Sequence, residues 1–223
     1  MNVFVIDTST ETGTVGISSS DDIVADIHFE IKKGSTSSVH SHIEIAFEKA
    51  DLLVSQLDLI GVVIGPGSFT GLRVALAAAK GLAHPYKIPI VGIDTMTALA
   101  SVIHEQGIIT TIIDARRSQF YRGIFKRDSD GLHRISGPEA VDADIIFNDV
   151  PQNSILTGPG TNKIKPEFVT EYRIPTKDLF YPSTRELCKL TAKLFREGHI
   201  LDLENSTPLY IRKPDAKPEL RQN

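Results

Sequence analysis

The stretch VFVIDTSTETGTVGISSSDDIVADIHF, residues 3–29, holds three runs of mostly β-branched and other apolar residues, separated by polar, turn-forming residues. The runs cover 3–7, 14–19 and 23–29, and the first of them ends at Asp7. Short runs divided by such turns are typical of antiparallel strands. We therefore predict a three-stranded antiparallel meander, a beginning that a Rossmann-type βαβ unit does not have.

After this meander the spacing of apolar residues changes and predicts alternating helices and strands. Residues 38–53 carry apolar side chains at three- and four-residue steps, as in an amphipathic helix. The following segments predict, in order, a strand at 59–64, a helix at 70–84 that stops before Pro85, a strand at 88–93 and a helix at 95–105.

The second half repeats this plan. The motif VIDTS is followed by IGPGS in the first half, and IIDAR is followed by TGPGT in the second. We therefore predict an α/β protein with a duplicated ribonuclease-H-like fold of the actin-like ATPase clan, each half reading β-β-β-α-β-α. The predicted subdomains are 1–106 and 107–212, with a loose, charged tail at 213–223. The second half is assigned strands at 108–114, 120–127, 131–135 and 154–161 and helices at 141–148 and 183–198.

Composition excludes several classes of protein. The 223 residues carry a net charge of -4, so the chain has no charge excess with which to bind nucleic acid unaided. Cys188 is the single cysteine, which rules out an internal disulfide and a cysteine zinc cluster. We find no secretion signal and no apolar run near the roughly 20 residues that span a bilayer. We expect a cytoplasmic protein without membrane contact.

The loop IGPGSFTGLR, residues 64–73, connects a predicted strand to a predicted helix. It fails the Walker A pattern and the dinucleotide fingerprint, because Thr70 or Leu72 stands where glycine is required. Three interpretations stay open: a helix cap by Ser68 or Thr70, a phosphate contact at the helix N-terminus, and close packing of the helix. Under the phosphate interpretation, this loop and the end of the first strand form one site. Its residues are Asp7, Thr8 and Ser9 from the strand end and Gly65, Gly67 and Ser68 from the loop.

One flank of the helix after this loop is built of small residues, which allow another backbone to come close. The flank packs either inside its own domain or against a helix of another chain. Under the second interpretation, Ala75→Arg or Ala78→Glu is expected to block docking without unfolding the chain. The expected interface residues on the two helices are Val39, His42, Ile43, Ala46, Gly71, Arg73, Val74, Ala75, Ala78 and Leu82.

Polar residues after the first strand of the second half form another candidate site. Asp114 ends that strand, as Asp7 ends the first strand of the first half, and Arg116 and Arg117 follow it. In actin-like ATPases, acidic residues at these two places interact with Mg²⁺ and with the attacking water. The alternative interpretation is that each aspartate only begins a turn. The two arginines are suited to a partner's carboxylate or an RNA phosphate, or they form a solvated pair.

No metal site is predicted. Of the seven histidines, His40 and His42 come closest to a pair, but residues two apart on a helix point about 200° apart. They cannot chelate one ion from a regular helix.

The motifs VIDTST, HSHIE, GVVIGPGSFTGLRVALAAAKGLA, IPIVGIDTMTALA, IDARRSQFY and PLYIR, taken together, resemble the bacterial TsaB family in order across nearly the whole chain. This resemblance implies an actin-like fold and a non-catalytic role. It implies that the chain pairs with its paralogue TsaD, the transferase, and works with the ATPase TsaE to form threonylcarbamoyladenosine (t6A) at adenosine 37 of tRNA. It also implies no cofactor of its own, with ATP and metal on the partner subunits, and a self-dimer when the chain is alone.

The resemblance also bears on catalysis. TsaD carries an H-x-x-x-H motif that holds a metal, and Thr95 and Leu99 stand at those two positions here. A hydroxyl and an alkyl group cannot replace two imidazole ligands. The alternative function is an actin-like ATPase or small-molecule kinase that uses the DTS and GPGS loops; a metallopeptidase would need paired metal ligands.

Overall fold

The computed structural model describes residues 1–31 and 38–212, which form two mixed β-sheets and four α-helices. In the first sheet the strand order is β3-β2-β1-β4-β5. The pairs β1–β2 and β2–β3 are antiparallel, as predicted, whereas β1–β4 and β4–β5 are parallel. The strands are β1 Asn2–Asp7, β2 Thr12–Ser19, β3 Asp22–Glu30, β4 Leu59–Gly65 and β5 Ile90–Asp94.

Helices cover both faces of this first sheet. The helices α1 (Ser38–Ala50) and α2 (Phe69–Ala83) bury apolar side chains against one face, together with Phe4. The helices α3 (Thr95–Ser101) and α4 (Thr184–Arg196) pack against the opposite face. A sheet covered on both sides buries its strands completely, which explains why β4 reads as an unbroken apolar run.

The second sheet repeats the order of the first. Its order is β8-β7-β6-β9, with β6–β9 parallel and the other pairs antiparallel. The repeat of the same topology confirms the predicted duplicated, actin-like α/β fold. The strands are β6 Gly107–Arg116, β7 Gln119–Asp128, β8 Gly131–Asp142 and β9 Ile155–Thr157.

The second half nevertheless departs from the predicted β-β-β-α-β-α order. The helix predicted at 141–148 is wrong: β8 continues to Asp142, and a single 3-10 turn, Ala143–Ile145, follows. The Arg122 Nη1 atom donates to the carbonyl oxygens of Ile146, at 2.7 Å, and of Asn148, at 2.6 Å. This buried guanidinium supplies the hydrogen bonds that a helix would have supplied, so the segment is held without becoming helical.

The helix predicted at 183–198 forms as α4, but it covers the first sheet rather than the second. Leu187 and Cys188 of α4 are buried in one cluster with Val3 and Val5 of β1. The second half therefore contributes a layer to the first. The subdomain boundary at residue 106 stays a prediction, since α4 lies across it in space.

The segment from 199 to 212, which we call the strap, links the two halves. Its Leu201 amide donates to the Ile90 carbonyl at 2.8 Å, and its Leu209 amide donates to the Ile64 carbonyl at 2.7 Å. At its end, Arg212 Nη1 donates to the Ala115 carbonyl of the second half at 2.9 Å. The tail predicted to be loose, 213–223, lies outside the described residues. None of the helices in the described parts of the chain is long and apolar enough to cross a membrane.

Candidate functional site

An open apolar groove lies on the outer side of α1 and α2. It encloses about 720 Å³. Leu53 beside it is 69% exposed, an unusual position for a leucine that has no partner to cover it. We call this feature the α1–α2 groove; it is lined by His40, Ile43, Glu44, Phe47, Glu48, Leu52, Leu53, Val54, Ala78, Gly81 and Leu82.

Only part of the predicted interface lies in this groove. Ile43, Ala78 and Leu82 line it, and Val74 is half-buried on the same helix as the last two. Four further residues of the predicted set are buried in the protein's own core. The ring of His42 stacks on that of Phe29, with ring centroids 4.0 Å apart. The four buried residues are Val39, Ala46, Gly71 and Ala75.

The burial of Ala75 corrects the sequence-based expectation for its substitution. Ala75 is fully buried against the first sheet. An arginine at this position would place a charge in the core and unfold the chain, so it cannot test docking. Ala78 is half-buried at the groove and remains a suitable position.

The groove also contains residues that the sequence analysis missed. The helix α1 ends at Ala50, and the apolar residues Leu52, Leu53 and Val54 follow directly and form one end of the groove. These residues could have been found from the sequence, because the apolar run continues past the point where the helical spacing stops. The sequence analysis instead assigned the run to a helix that extends to residue 53.

The glycines of the GPGSFTG loop serve close packing and a helix cap. A Cβ atom would lie 2.3 Å from the Ser9 carbonyl oxygen if placed on Gly67, and 1.9 Å from the Thr8 carbonyl oxygen if placed on Gly71. The Ser68 amide donates to the Ser9 carbonyl at 2.7 Å, and the Ser68 hydroxyl accepts from the Gly71 amide at 3.3 Å. Backbone thus lies directly against this loop, and the predicted Ser68 cap is confirmed. No contact described here supports phosphate binding by Gly65, Gly67 and Ser68, which stays a prediction.

Asp7 lies at the centre of this junction and is fully buried. Its Oδ1 atom accepts from the Ser9 amide at 2.8 Å, while its Oδ2 atom and the Ser9 hydroxyl are buried without a protein partner. Burial raises the pKa of Asp7 to about 6, although the hydrogen bond from the Ser9 amide lowers it in part. The neighbouring Thr8 hydroxyl donates to the Gly71 carbonyl at 2.7 Å, so it ties this strand end to α2. The alternative ATPase function, in which Asp7 manages phosphate, would be favoured by ATP turnover that Asp7→Ala abolishes.

The raised pKa of Asp7 predicts a pH-dependent stability. Well below the unfolded pKa of 3.8 the carboxyl is neutral in both the folded and the unfolded chain. As the pH rises to about 6, ionisation favours the unfolded chain, so the folded state loses up to about 3 kcal/mol. We expect Asp7→Asn to raise the free energy of unfolding by about 2 kcal/mol more at pH 7.5 than at pH 4, because the amide carries no charge. Urea denaturation at both pH values measures this difference, and an effect of Asp7→Asn that is equal at both would contradict it.

The hairpin between β6 and β7 carries the second predicted cluster. Arg116, Arg117 and Ser118 all have left-handed backbone, with φ of 62°, 55° and 58°. Asp114 Oδ1 accepts from the Arg116 amide at 2.7 Å, and Lys163 forms a salt bridge with Asp114 Oδ2. Partial burial alone would raise the pKa of Asp114, but the Lys163 and Arg116 hydrogen bonds, with the positive charges of both residues, lower it. Asp114 is therefore a paired anion that fixes the turn, and both arginine side chains are exposed.

The two positions that the sequence analysis aligned with the metal-binding histidines of TsaD lie in the core. Thr95 and Leu99 of α3 are both fully buried, and the Thr95 hydroxyl has no hydrogen-bond partner. Among residues 1–31 and 38–212 no group of three or more histidine, cysteine, aspartate or glutamate side chains is placed to hold a metal ion.

The strand order of the two sheets defines an actin-like, ribonuclease-H-like fold. Residues 30–218 match the family model described as "TsaD: tRNA N6-adenosine threonylcarbamoyltransferase". The chain is 31% identical to the Bacillus subtilis protein named "tRNA threonylcarbamoyladenosine biosynthesis protein TsaB", with 97% of this chain and 96% of that protein covered. It is also 31% identical to an uncharacterised Mycobacterium leprae protein, of which it covers 57%. The solved structure of YeaZ from Pseudomonas aeruginosa superposes with a TM-score of 0.79 at 19% identity, over 94% of this chain and 99% of that one, and this shows the shared fold. The chain therefore belongs to the family of that model, and within it to the TsaB family.

Proposed function

We propose that this chain is a non-catalytic subunit in the formation of t6A on tRNA, and that it acts by pairing with a TsaD subunit. The family relationship supports the pathway, and the α1–α2 groove is the observation that carries the pairing. A shallow apolar groove between two helices is the usual receptor for helices of a partner protein.

The groove has the composition of an interface. Its floor is apolar, with Phe47 half-buried and Leu53 largely exposed, and its rim carries Glu44 and Glu48. Gly81 on α2 is exposed, and apart from the adjacent backbone of α2 no atom of the described residues lies within 4 Å of the place where its Cβ would stand. A partner helix can thus approach the α2 backbone closely at this point. We propose that helices of TsaD pack here to form a helical bundle, and that a second copy of this chain takes their place when TsaD is absent.

The burial of Thr95 and Leu99 supports a non-catalytic role. We propose that the metal belongs to TsaD and that TsaE supplies the ATPase activity. The chain would then stabilise an active form of TsaD and contribute part of the surface that contacts tRNA. The cytoplasmic location expected from the sequence stays a prediction.

Gly81 offers a sharp test of this proposal. We expect Gly81→Glu to lower the affinity for TsaD about 30-fold, because it adds a third negative charge, beside those of Glu44 and Glu48, to the lining of the groove. The matched control is Gly81→Ala, which adds only a methyl group and is expected to keep most of the affinity. Calorimetric titration with TsaD from the same organism measures both.

The functional readout is t6A in tRNA incubated with TsaD, TsaE and the other enzymes of the pathway, with and without this chain. We expect modification to require the chain and to be restored by Gly81→Ala but not by Gly81→Glu. Full modification without the chain, or equal TsaD affinity of the two Gly81 variants, would refute the proposal.

A further inference from the structure

Phe69, Arg73 and Tyr210 are in contact where the strap passes the first turn of α2, and two further arginines lie nearby in the chain. We call this cluster the Arg–aromatic patch and define it as Phe69, Arg73, Tyr210, Arg116 and Arg212. It lies apart from the α1–α2 groove, whose lining includes none of these residues. Arg73, which the sequence analysis assigned to the docking interface, lies in this patch and does not line the groove, so its part in docking stays a prediction.

The aromatic part of the patch is a preformed stack. The Arg73 guanidinium lies 3.5 Å from the Phe69 ring centroid and 5.7 Å from that of Tyr210. The Arg73 Nε atom donates to the Tyr210 hydroxyl at 3.0 Å, and the two ring centroids are 5.2 Å apart. Phe69 is nevertheless 39% exposed. A planar guanidinium fixed over one ring and hydrogen-bonded to a second, neighbouring ring forms a rigid surface platform that a further flat group can join.

The strap adds Arg212 close to this platform and contacts the hairpin that carries Arg116. Arg212 follows Tyr210 by two residues, a span of at most about 7 Å. The Arg212 Nη1 atom donates to the carbonyl of Ala115, the residue before Arg116. Arg73 and Arg212 are therefore held by a hydroxyl and a carbonyl, which are uncharged, and Asp114 of the same hairpin is paired with Lys163. Positive charge is thus concentrated at this edge of a chain whose net charge is negative.

We propose that the Arg–aromatic patch binds single-stranded RNA. Arg116 and Arg212 would contact backbone phosphates, and an unpaired base would stack on the Phe69–Arg73–Tyr210 platform. Single-stranded RNA is recognised through this combination of cationic groups and aromatic faces. An acidic protein segment would satisfy the arginines but would leave the exposed ring of Phe69 without a stacking partner. The inference deepens the proposed function, on which it rests for the identity of the RNA as tRNA.

Fluorescence anisotropy of the full-length chain with a labelled, unstructured oligoribonucleotide tests this inference. At about 0.1 M salt we expect the double variant Arg116→Ala/Arg212→Ala to bind about 25-fold more weakly. We also expect its slope of log affinity against log salt to be shallower by about 1.4, since each phosphate contact on a single strand contributes about 0.7. Phe69→Ala is expected to weaken binding about tenfold with the slope unchanged, because stacking releases no counterions.

Arg196→Ala is the matched control, because Arg196 is an exposed arginine on α4, across the first sheet from α2. It is expected to bind RNA as the unchanged chain does. The inference is overturned if the intact chain binds no RNA at low salt, or if the patch variants bind as tightly as Arg196→Ala. It is also overturned if they keep RNA affinity but lose TsaD or TsaE, which would make the patch a protein contact. Gly81→Glu, which should lose TsaD and keep RNA, separates failure of this inference from failure of the proposed function.

Discussion

Gly71→Ala is expected to lower the free energy of unfolding by about 3 kcal/mol, a large effect for one added methyl group. The new Cβ atom would stand 1.9 Å from the Thr8 carbonyl oxygen, which belongs to backbone and cannot rotate away. The Thr8 hydroxyl also donates to the Gly71 carbonyl. Moving α2 outward to relieve the contact would therefore strain that hydrogen bond and disturb the loop that carries Asp7.

The same replacement at Gly81, on the same helix, is the control. Nothing lies within 4 Å of a Cβ atom at Gly81, so Gly81→Ala is expected to raise the free energy of unfolding by about 0.5–1 kcal/mol through helix propensity alone. Urea denaturation of the two variants measures the contrast. If both replacements shifted stability in the same direction, close packing would not be the reason for glycine at position 71.

Arg122→Met is expected to cost about 4 kcal/mol of folding stability, because it removes the buried donor that serves two backbone carbonyls and a carboxylate. The Arg122 side chain is 7% exposed and donates to Glu139 Oε1 at 2.8 Å. It also satisfies the Ile146 and Asn148 carbonyls. Methionine fills a similar volume but leaves both carbonyls without a donor.

Thermal denaturation gives the size of this loss, and amide hydrogen exchange locates it. We expect exchange to accelerate first in the segment after β8, where the two carbonyls lie. Glu139→Gln serves as the control because Glu139 is 43% exposed and glutamine still accepts the guanidinium hydrogen bond, so a loss of about 1 kcal/mol is expected. A loss for Arg122→Met no larger than that for Glu139→Gln would contradict this account.

Local sequence patterns were sufficient to predict the antiparallel strands of the first sheet. The β-branched runs divided by turns gave β1, β2 and β3 to within two residues, because strand alternation and turn chemistry are properties of neighbouring residues. The Ser68 cap of α2 was likewise readable, since the capping hydroxyl and the amide that it receives lie three residues apart.

Contacts between distant residues account for the elements that were missed. The segment 141–148 has residues suitable for a helix, but its carbonyls are bound by Arg122, more than twenty residues earlier. Ala75 is buried and Ala78 is half-buried because of the way in which α2 packs on the sheet, and a helical wheel cannot specify this packing. Small residues marked the helix correctly as one that packs closely, but they did not show which side faces its own sheet.

The candidate sites also differ in how much of them the sequence could suggest. The resemblance to TsaB predicts from sequence alone that Thr95 and Leu99 stand in place of metal ligands, and this stays a prediction. The Arg–aromatic patch was not visible, because Phe69 and Tyr210 are separated by most of the chain and meet only through the strap.

The placement of α4 has a consequence for biosynthesis. Val3 and Val5 of β1 are translated long before Leu187 and Cys188 of α4, the helix that packs against them. Until α4 is made, this side of the nascent sheet is only partly covered, by α3, and stays open to chaperones or to wrong partners. The two halves therefore share an architecture, but the first half does not fold independently. Its packing is complete only after the second half has been made.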